Sequence, residues 1–213
     1  MRTLYHIQAS PFSRRVRLAL AHKRLDAELR EARENPDWMA EARRLVPFRT
    51  MPVLVDGHRA LGDSAAIVHW LDRTYDDAPR LWPDEDAHGA FEIAALVDVT
   101  LGIAVDLGTR YFVLHDHPGW TAVTDEMVGR AQAALQAIAD RLSVLGRSTI
   151  AKSGWSAADM WLFTEVTWLE GLPKRAQTKP HIAQVMTLGL ALPKALSTWA
   201  DAHRDRTDVL ALD

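Results

Sequence analysis

Met51-Pro52-Val53-Leu54-Val55, followed by Asp56-Gly57 and then His58-Arg59-Ala60-Leu61, sets the architecture of the first half of the chain. The opening residues are a short β-rich run, Asp56-Gly57 is a hairpin turn signal, and His58 to Leu61 reads as the returning strand. A proline at the head of a strand removes no interior ladder hydrogen bond, which fits Pro52 to a strand start. Upstream, Leu4-Tyr5-His6-Ile7 reads as a strand, Val16 to Ala21 as part of a basic amphipathic helix, and Ala27 to Glu31 as a further strand. Downstream, Ser64 to Tyr75 has helical spacing, with Ile67, Val68 and Leu71 on one side. The resulting β-α-β-α-β-β-α order describes a small α/β domain.

Pro79-Arg80-Leu81-Trp82-Pro83-Asp84 has prolines near both ends and reads as a linker. Beyond residue 87 no good strand pattern follows. Ala131, Leu135, Ile138, Leu142 and Leu145 recur every three or four residues, as on an amphipathic helix of about four turns. Ala157 to Leu169 and Leu192 to Ala202 are two more helices, and the long apolar stretch from Ala87 to His115 is helical in character despite Gly102 and Gly108. The expected class is therefore α/β plus all-α. Residues 1–78 form the first domain, 79–86 the linker and 87–213 the helical domain.

Composition excludes several functions. The chain has 213 residues, 48% of them apolar, enough for a packed core and against intrinsic disorder. Its 25 Lys+Arg against 28 Asp+Glu leave a net charge of −3, without the basic field that binds a phosphate backbone, so no nucleic-acid partner is expected. No apolar run reaches the ~18 residues of a membrane span, and the polar start Met1-Arg2-Thr3-Leu4-Tyr5-His6 is unlike a signal peptide. A cytoplasmic protein without a membrane partner is expected. The count of zero cysteines excludes disulfides, thiolate nucleophiles and cysteine-based metal sites. Any sulfur chemistry must use a sulfur brought by a ligand.

Five motifs carry chemistry or its alternatives. In Ser10-Pro11-Phe12-Ser13-Arg14-Arg15-Val16-Arg17, Ser10 and Pro11 suit the N-cap and first position of a helix. That reading is complete in itself, yet the same geometry stabilises an anion, including a thiolate. Met51-Pro52-Val53 is the second motif. A cis Met51–Pro52 bond would expose the Met51 backbone to an extended peptide, although few X–Pro bonds are cis. In Gly62-Asp63-Ser64-Ala65-Ala66-Ile67, Asp63 or Ser64 caps a helix, or the pair holds both charges of an amino-acid zwitterion. Ser156-Ala157-Ala158-Asp159 resembles a capping box, a structural role. His115-Asp116-His117, beside Pro118-Gly119, reads as a polar interhelical loop, and no metal site is expected.

In this order the motifs resemble the cytosolic glutathione transferase family over nearly the whole chain. Ser10-Pro11-Phe12 with Arg15 and Arg17 is similar to the Ser-Pro-Phe segment of tau-like members, itself related to the zeta-like one. Met51-Pro52-Val53-Leu54 is similar to the family's Val-Pro-x-Leu, Asp63-Ser64-Ala65-Ala66-Ile67 to its Glu/Asp-Ser-x-Ala-Ile, Leu81-Trp82-Pro83 to its linker and Ser156-Ala157-Ala158-Asp159 to its helical-domain box. The resemblance implies a thioredoxin-like N-terminal domain, an all-helical C-terminal domain and glutathione as co-substrate. It implies that Ser10 stabilises the glutathione thiolate, while Phe12, Arg49, Thr50, Met51, Pro52, Asp63 and Ser64 bind glutathione. Arg110, Tyr111 and Trp168 are the candidates for the pocket of a small electrophile. Arg15, Ser156 and Asp159 are expected to be structural, and a homodimer is implied. The stretch Val46-Pro47-Phe48-Arg49-Thr50 departs from the family's Asn-Pro-x-Gly-Lys/Gln, with Arg49 at the glycine and Thr50 at the Lys/Gln. The main expectation is conjugation of glutathione to electrophiles. Two alternatives are a zeta-like glutathione-dependent isomerase and a non-catalytic module that binds a protein partner, as some bacterial relatives do in cell division.

Overall fold

The structure is a computed structural model that describes residues 1–47, 49–77, 79–84, 87–179, 182–183, 186 and 189–212. Phe48 and two residues of the expected linker, 85 and 86, lie outside them. Four strands form one sheet in the order β2-β1-β3-β4. They are β1 (Arg2–His6), β2 (Glu28–Glu31), β3 (Val53–Asp56) and β4 (Arg59–Gly62). β1 runs parallel to β2, and β3 is antiparallel to both β1 and β4. Helix α1 (Pro11–His22) links the parallel pair, α2 (Pro36–Leu45) precedes β3, and α3 (Ser64–Thr74) follows β4.

Strand alternation assigns the two faces of the sheet. Leu4 pairs with Leu54 and both join the large core with Val16, Ile67, Val68 and Leu71 of α1 and α3. Their neighbours Tyr5 and Val53 pair with each other and pack on the opposite face with Ala42 and Val46. A strand side-chain period of two puts consecutive residues on opposite faces, so both are covered by helices. The expected hairpin forms, with one difference. Asp56 pairs with Arg59, so the loop residues are Gly57 and His58, with Gly57 supplying the positive φ of +60°.

The helical half begins with α4 (Ala87–Leu114) and α5 (Trp120–Leu145), packed against each other. α6 (Ala157–Glu170), α7 (Leu172–Ala176), α8 (Lys194–Asp201) and α9 (Thr207–Leu210) follow. α6 is the central post. Residues 157–166 are all buried, the pattern of a helix enclosed on every side. Ser156 and Asp159 fix its start: the Asp159 carboxylate accepts from the Ser156 amide at 3.0 Å, the Ser156 hydroxyl at 2.6 Å and the Ile150 amide at 2.7 Å. Leaving those two buried amides unpaired would cost about 1–3 kcal/mol each.

α1 departs from the expected amphipathic helix. Wedged between the sheet and α6, it buries Arg15 and Arg17 along with Val16, Leu18 and Ala19. Arg15 reaches Asp98 on α4, and Arg17 binds the Gln8 side chain and carbonyl. These buried basic residues are turned onto acceptors of the protein rather than into water.

Asp72 ties the chain between the halves to α3. Its carboxylate accepts from the Leu81 amide at 2.6 Å and lies 3.6 Å from the buried Lys23 ammonium. Trp82, held in this way, stacks on Phe91 of α4 at 4.4 Å and meets Trp161 of α6 edge-on at 5.7 Å. The whole is a thioredoxin-like domain docked on an all-helical one.

Candidate functional site

Between the two domains lies a cleft of about 530 Å³. The first domain contributes Ser10, Pro11 and Phe12 from the start of α1, Arg33, Met39 and Arg43 around α2, and Arg49, Thr50 and Met51 ahead of β3. The helical domain contributes Ala104, Val105, Gly108 and Thr109 of α4, Trp168 of α6, Arg175 of α7, and Lys179 and Ile182. A second groove, of about 490 Å³, lies along α4 and α5 and includes none of the motif residues.

Ser10 is the N-cap of α1. Its Oγ accepts from the Ser13 amide at 3.3 Å, and its own amide donates to the Ile7 carbonyl at 2.9 Å. The Ser13 hydroxyl oxygen in turn accepts from the Ile7 amide at 3.2 Å, closing the turn from β1 into the helix. The Ser10 hydroxyl proton has no acceptor among the described residues and is available to the cleft. An acceptor there would also meet the positive end of the α1 dipole.

Met51–Pro52 is a cis peptide bond, and neither backbone group of Met51 has a hydrogen-bond partner among the described residues. Val53 pairs with Gly62, so the chain just before Val53 and the chain just after Gly62 leave the sheet side by side. That brings Asp63 and Ser64 beside Pro52, although none of these three lines the cleft itself. Asp63 caps α3 through Oδ1, which accepts from the Ala65 amide at 2.9 Å and the Ala66 amide at 3.0 Å. Ser64 is buried. Asp63 has φ +71° and Arg49 has φ +56°, in the region that favours glycine. Arg49, which stands where the resembled family has glycine, thus adopts a backbone conformation that glycine favours.

On the helical wall the structure brings Trp168 into the cleft but not Arg110 or Tyr111. Arg110 pairs with Asp106 at 3.2 Å, and Tyr111 stacks on His115 at 4.6 Å and meets Trp120 edge-on. Each helical residue turns the side chain by about 100°. With 104, 105, 108 and 109 facing the cleft, 110 points to the far side of α4. Residue 111, about 20° from 104 and two turns further along, is engaged with His115 and Trp120 and does not line the cleft. The sequence signal for this face was the run of small residues, Ala104, Gly108 and Thr109. Arg33, Arg43, Arg175 and Lys179 carried no motif. In the polar loop, His115 lies 3.2 Å from Asp116 and the His117 Nδ1 accepts from the Gly119 amide at 3.1 Å.

Below the floor of the site, Arg15 is fully buried with its guanidinium 4.5 Å from the Trp161 ring and 5.2 Å from that of Phe12. Nearby in electrostatic reach is Glu165, whose Oε1 accepts from the Thr100 hydroxyl. Burial pushes the Glu165 carboxyl up to about 8, so it is neutral at pH 7. His6, also buried, is held below the usual imidazole range by desolvation and by Arg17.

A thioredoxin-like domain with a cis proline, docked on a helical bundle across a cleft headed by a serine, defines a two-domain class of proteins. Residues 4–79 match the family model "Glutathione S-transferase, N-terminal domain". Over those residues the first domain is similar to that family, and the chain has the fold of solved glutathione S-transferases. A Vibrio cholerae protein named "Probable maleylacetoacetate isomerase" is 41% identical over 108 residues, 49% of this chain and 48% of that one. "Glutathione S-transferase Z1" of Arabidopsis thaliana is 36% identical over 80 residues, 37% of this chain and 36% of that one. The chain thus matches about half or less of the length of these curated relatives. A glutathione S-transferase of Methylobacillus flagellatus, solved with glutathione bound, superposes with a TM-score of 0.76 at 21% identity, covering 100% of this chain and 98% of that one. Among the described residues no helix is long and apolar enough to cross a membrane.

Proposed function

We propose that the protein is a glutathione S-transferase in which Ser10 stabilises the glutathione thiolate for attack on an electrophile held by the helical wall. The observation that carries this reading is the Ser10 hydroxyl, which accepts the Ser13 amide and keeps its proton for the cleft. Glutathione lies extended beside cis-Pro52, with its cysteinyl backbone paired to the free amide and carbonyl of Met51. Its γ-glutamyl carboxylate binds at Ser64 and its ammonium at Asp63, whose Oδ2 is not used in capping α3. The glycyl carboxylate meets Arg49 beside Thr50. Phe12 and Trp168 border the electrophile.

A free thiol titrates at about 8.5, and lowering it by one unit requires about 1.4 kcal/mol of preferential binding of the thiolate. One charge-assisted hydrogen bond and a helix N-terminus supply energy of that order. The thiol proton passes to water. The sulfur lone pair forms the C–S bond, and the leaving group departs with its bonding electrons.

The test is Ser10→Ala. Conjugation of a generic electrophile is expected to fall at least tenfold. The lost cap costs about 1 kcal/mol, a shift of only a few degrees in melting temperature. An unaffected rate would remove Ser10 from the mechanism.

The similarity to a Vibrio protein named for maleylacetoacetate isomerisation supports a second reading, in which glutathione adds to the substrate and leaves again. Turnover of maleyl-type substrates without consumption of glutathione would establish it. A non-catalytic protein-binding role, the third possibility, rests on the altered 46–50 segment and is opposed by any micromolar affinity for glutathione.

The same reading includes domain limits at 1–78 and 87–213 with the linker between, a cytoplasmic location in keeping with zero cysteines, and a homodimer. Exposed apolar side chains along α4 and α5, such as Val99 and Val144, are surface that a second copy would cover.

A further inference from the structure

The charge lining the cleft is one-sided. Arg33, Arg43, Arg49, Arg175 and Lys179 face it, and among the described residues no Asp or Glu does. None of the five has a carboxylate partner among the described residues. Glutathione, bound as proposed above, brings two carboxylates. The γ-glutamyl one is met at Ser64 and the glycyl one by arginines of the first domain, so both are satisfied on that wall. Arg175 and Lys179 stand on the opposite wall with no anion assigned to them.

Arg175 is built into place. Its Nη2 donates to the Trp168 carbonyl, its guanidinium lies 4.8 Å from the Trp168 ring, and it fills the space where a side chain at Gly171 would be, 3.0 Å from an ideal Cβ there. Its Nε is buried without a hydrogen-bond partner. Desolvation, with no compensating carboxylate, holds its pKa below the ordinary arginine value. A guanidinium partly withdrawn from solvent, resting on an aromatic ring and sharing the cleft wall with a second cation, is complementary to a planar carboxylate.

We propose that the electrophile this cleft selects carries a carboxylate, bound by Arg175 with support from Lys179, while its apolar body lies against Trp168 and Ala104. This rests on the reading of the cleft as a glutathione-transferase site. It makes the helical wall a charged recognition surface instead of a purely apolar one, and Arg175 its specificity-determining residue.

The test compares 4-chloro-3-nitrobenzoate with its methyl ester. In each, the glutathione thiolate displaces chloride, which leaves with the C–Cl electron pair, and the acid or ester group is unchanged. Each kcat/KM is divided by the rate constant of the uncatalysed reaction with glutathione, to remove intrinsic reactivity. The acid is expected to be preferred at least tenfold. The preference should fall towards one in Arg175→Gln, persist in part in Arg175→Lys, and weaken with added salt. A wild-type ratio of one or below, or a ratio that Arg175→Gln does not change, overturns the proposal.

Calorimetry with the two compounds in the absence of glutathione separates this proposal from the reading it rests on. Tighter binding of the acid, lost in Arg175→Gln and weakened in Lys179→Gln, supports the carboxylate site even if glutathione itself fails to bind. Equal binding of acid and ester overturns it even if glutathione binds.

Discussion

The Arg15 guanidinium, fully buried on α1, places Nη1 2.5 Å from Asp98 Oδ1 on α4, so an ion pair joins the two domains beneath the cleft. The partners differ in environment. The Asp98 side chain keeps 46% of its exposure, while that of Arg15 keeps none.

That asymmetry predicts unequal mutants. Asp98→Ala leaves a buried guanidinium without its counter-ion, which costs about 3–5 kcal/mol. Arg15→Met leaves a carboxylate that water can reach and places an apolar chain against Trp161, so its cost should be smaller by about 2 kcal/mol. Urea unfolding of the two variants checks the order. Equal losses would mean that Asp98 does not compensate Arg15.

Glu165 predicts a pH dependence of stability. Its carboxyl titrates at about 8 when folded against the ordinary 4.5, so the folded state holds a proton that the unfolded state has released. Stability from this group is therefore fully present below about pH 4.5, is lost as pH rises between about 4.5 and 8, and is level above. Within that window the slope is up to about 1.4 kcal/mol per pH unit. Glu165→Gln carries no such proton. The stability of the variant relative to wild type should rise across pH 5.5–8, a range within the window set by those two values. Parallel stability curves would show that Glu165 is ionised in the folded protein.

Arg49→Gly separates stability from binding. The positive φ of +56° disfavours a residue with a Cβ by about 1 kcal/mol, which glycine would recover. The same change removes the cation assigned to the glycyl carboxylate. Melting temperature should hold or rise while glutathione affinity falls by about tenfold, the scale of one charge-assisted hydrogen bond. A fall in both would make Arg49 a packing residue.

Most of the architecture was legible because its signals are local. The β3–β4 hairpin, the caps Ser10, Asp63 and Ser156, and the apolar spacing of α6 each depend on neighbours within a few residues. What was not legible depends on tertiary contacts. Arg15 and Arg17 gave α1 the look of a solvated basic helix, and only tertiary contacts bury them, Arg15 against Trp161 of α6 and Arg17 against Gln8. α5 begins at Trp120, about three turns before Ala131, because its first half has few buried residues and so little apolar period to read. Within the site, Ser10, Phe12, Arg49, Thr50, Met51 and Trp168 meet at the cleft, whereas Arg110 lies out of phase with the face of α4 that lines it and Tyr111 is taken up by His115 and Trp120. The cations of the helical wall carried no motif, since a lone arginine or lysine in sequence is ordinarily a solvated side chain.

In the proposed mechanism Ser10 lowers the pKa of bound glutathione. Its most direct test is the ultraviolet difference absorbance of the thiolate in the protein–glutathione complex, titrated against pH for wild type and Ser10→Ala. The wild type should show a thiol pKa at least one unit below the free value of about 8.5, and the variant a return towards it. Saturating glutathione with an unshifted thiol, or the same shift in both proteins, would contradict it.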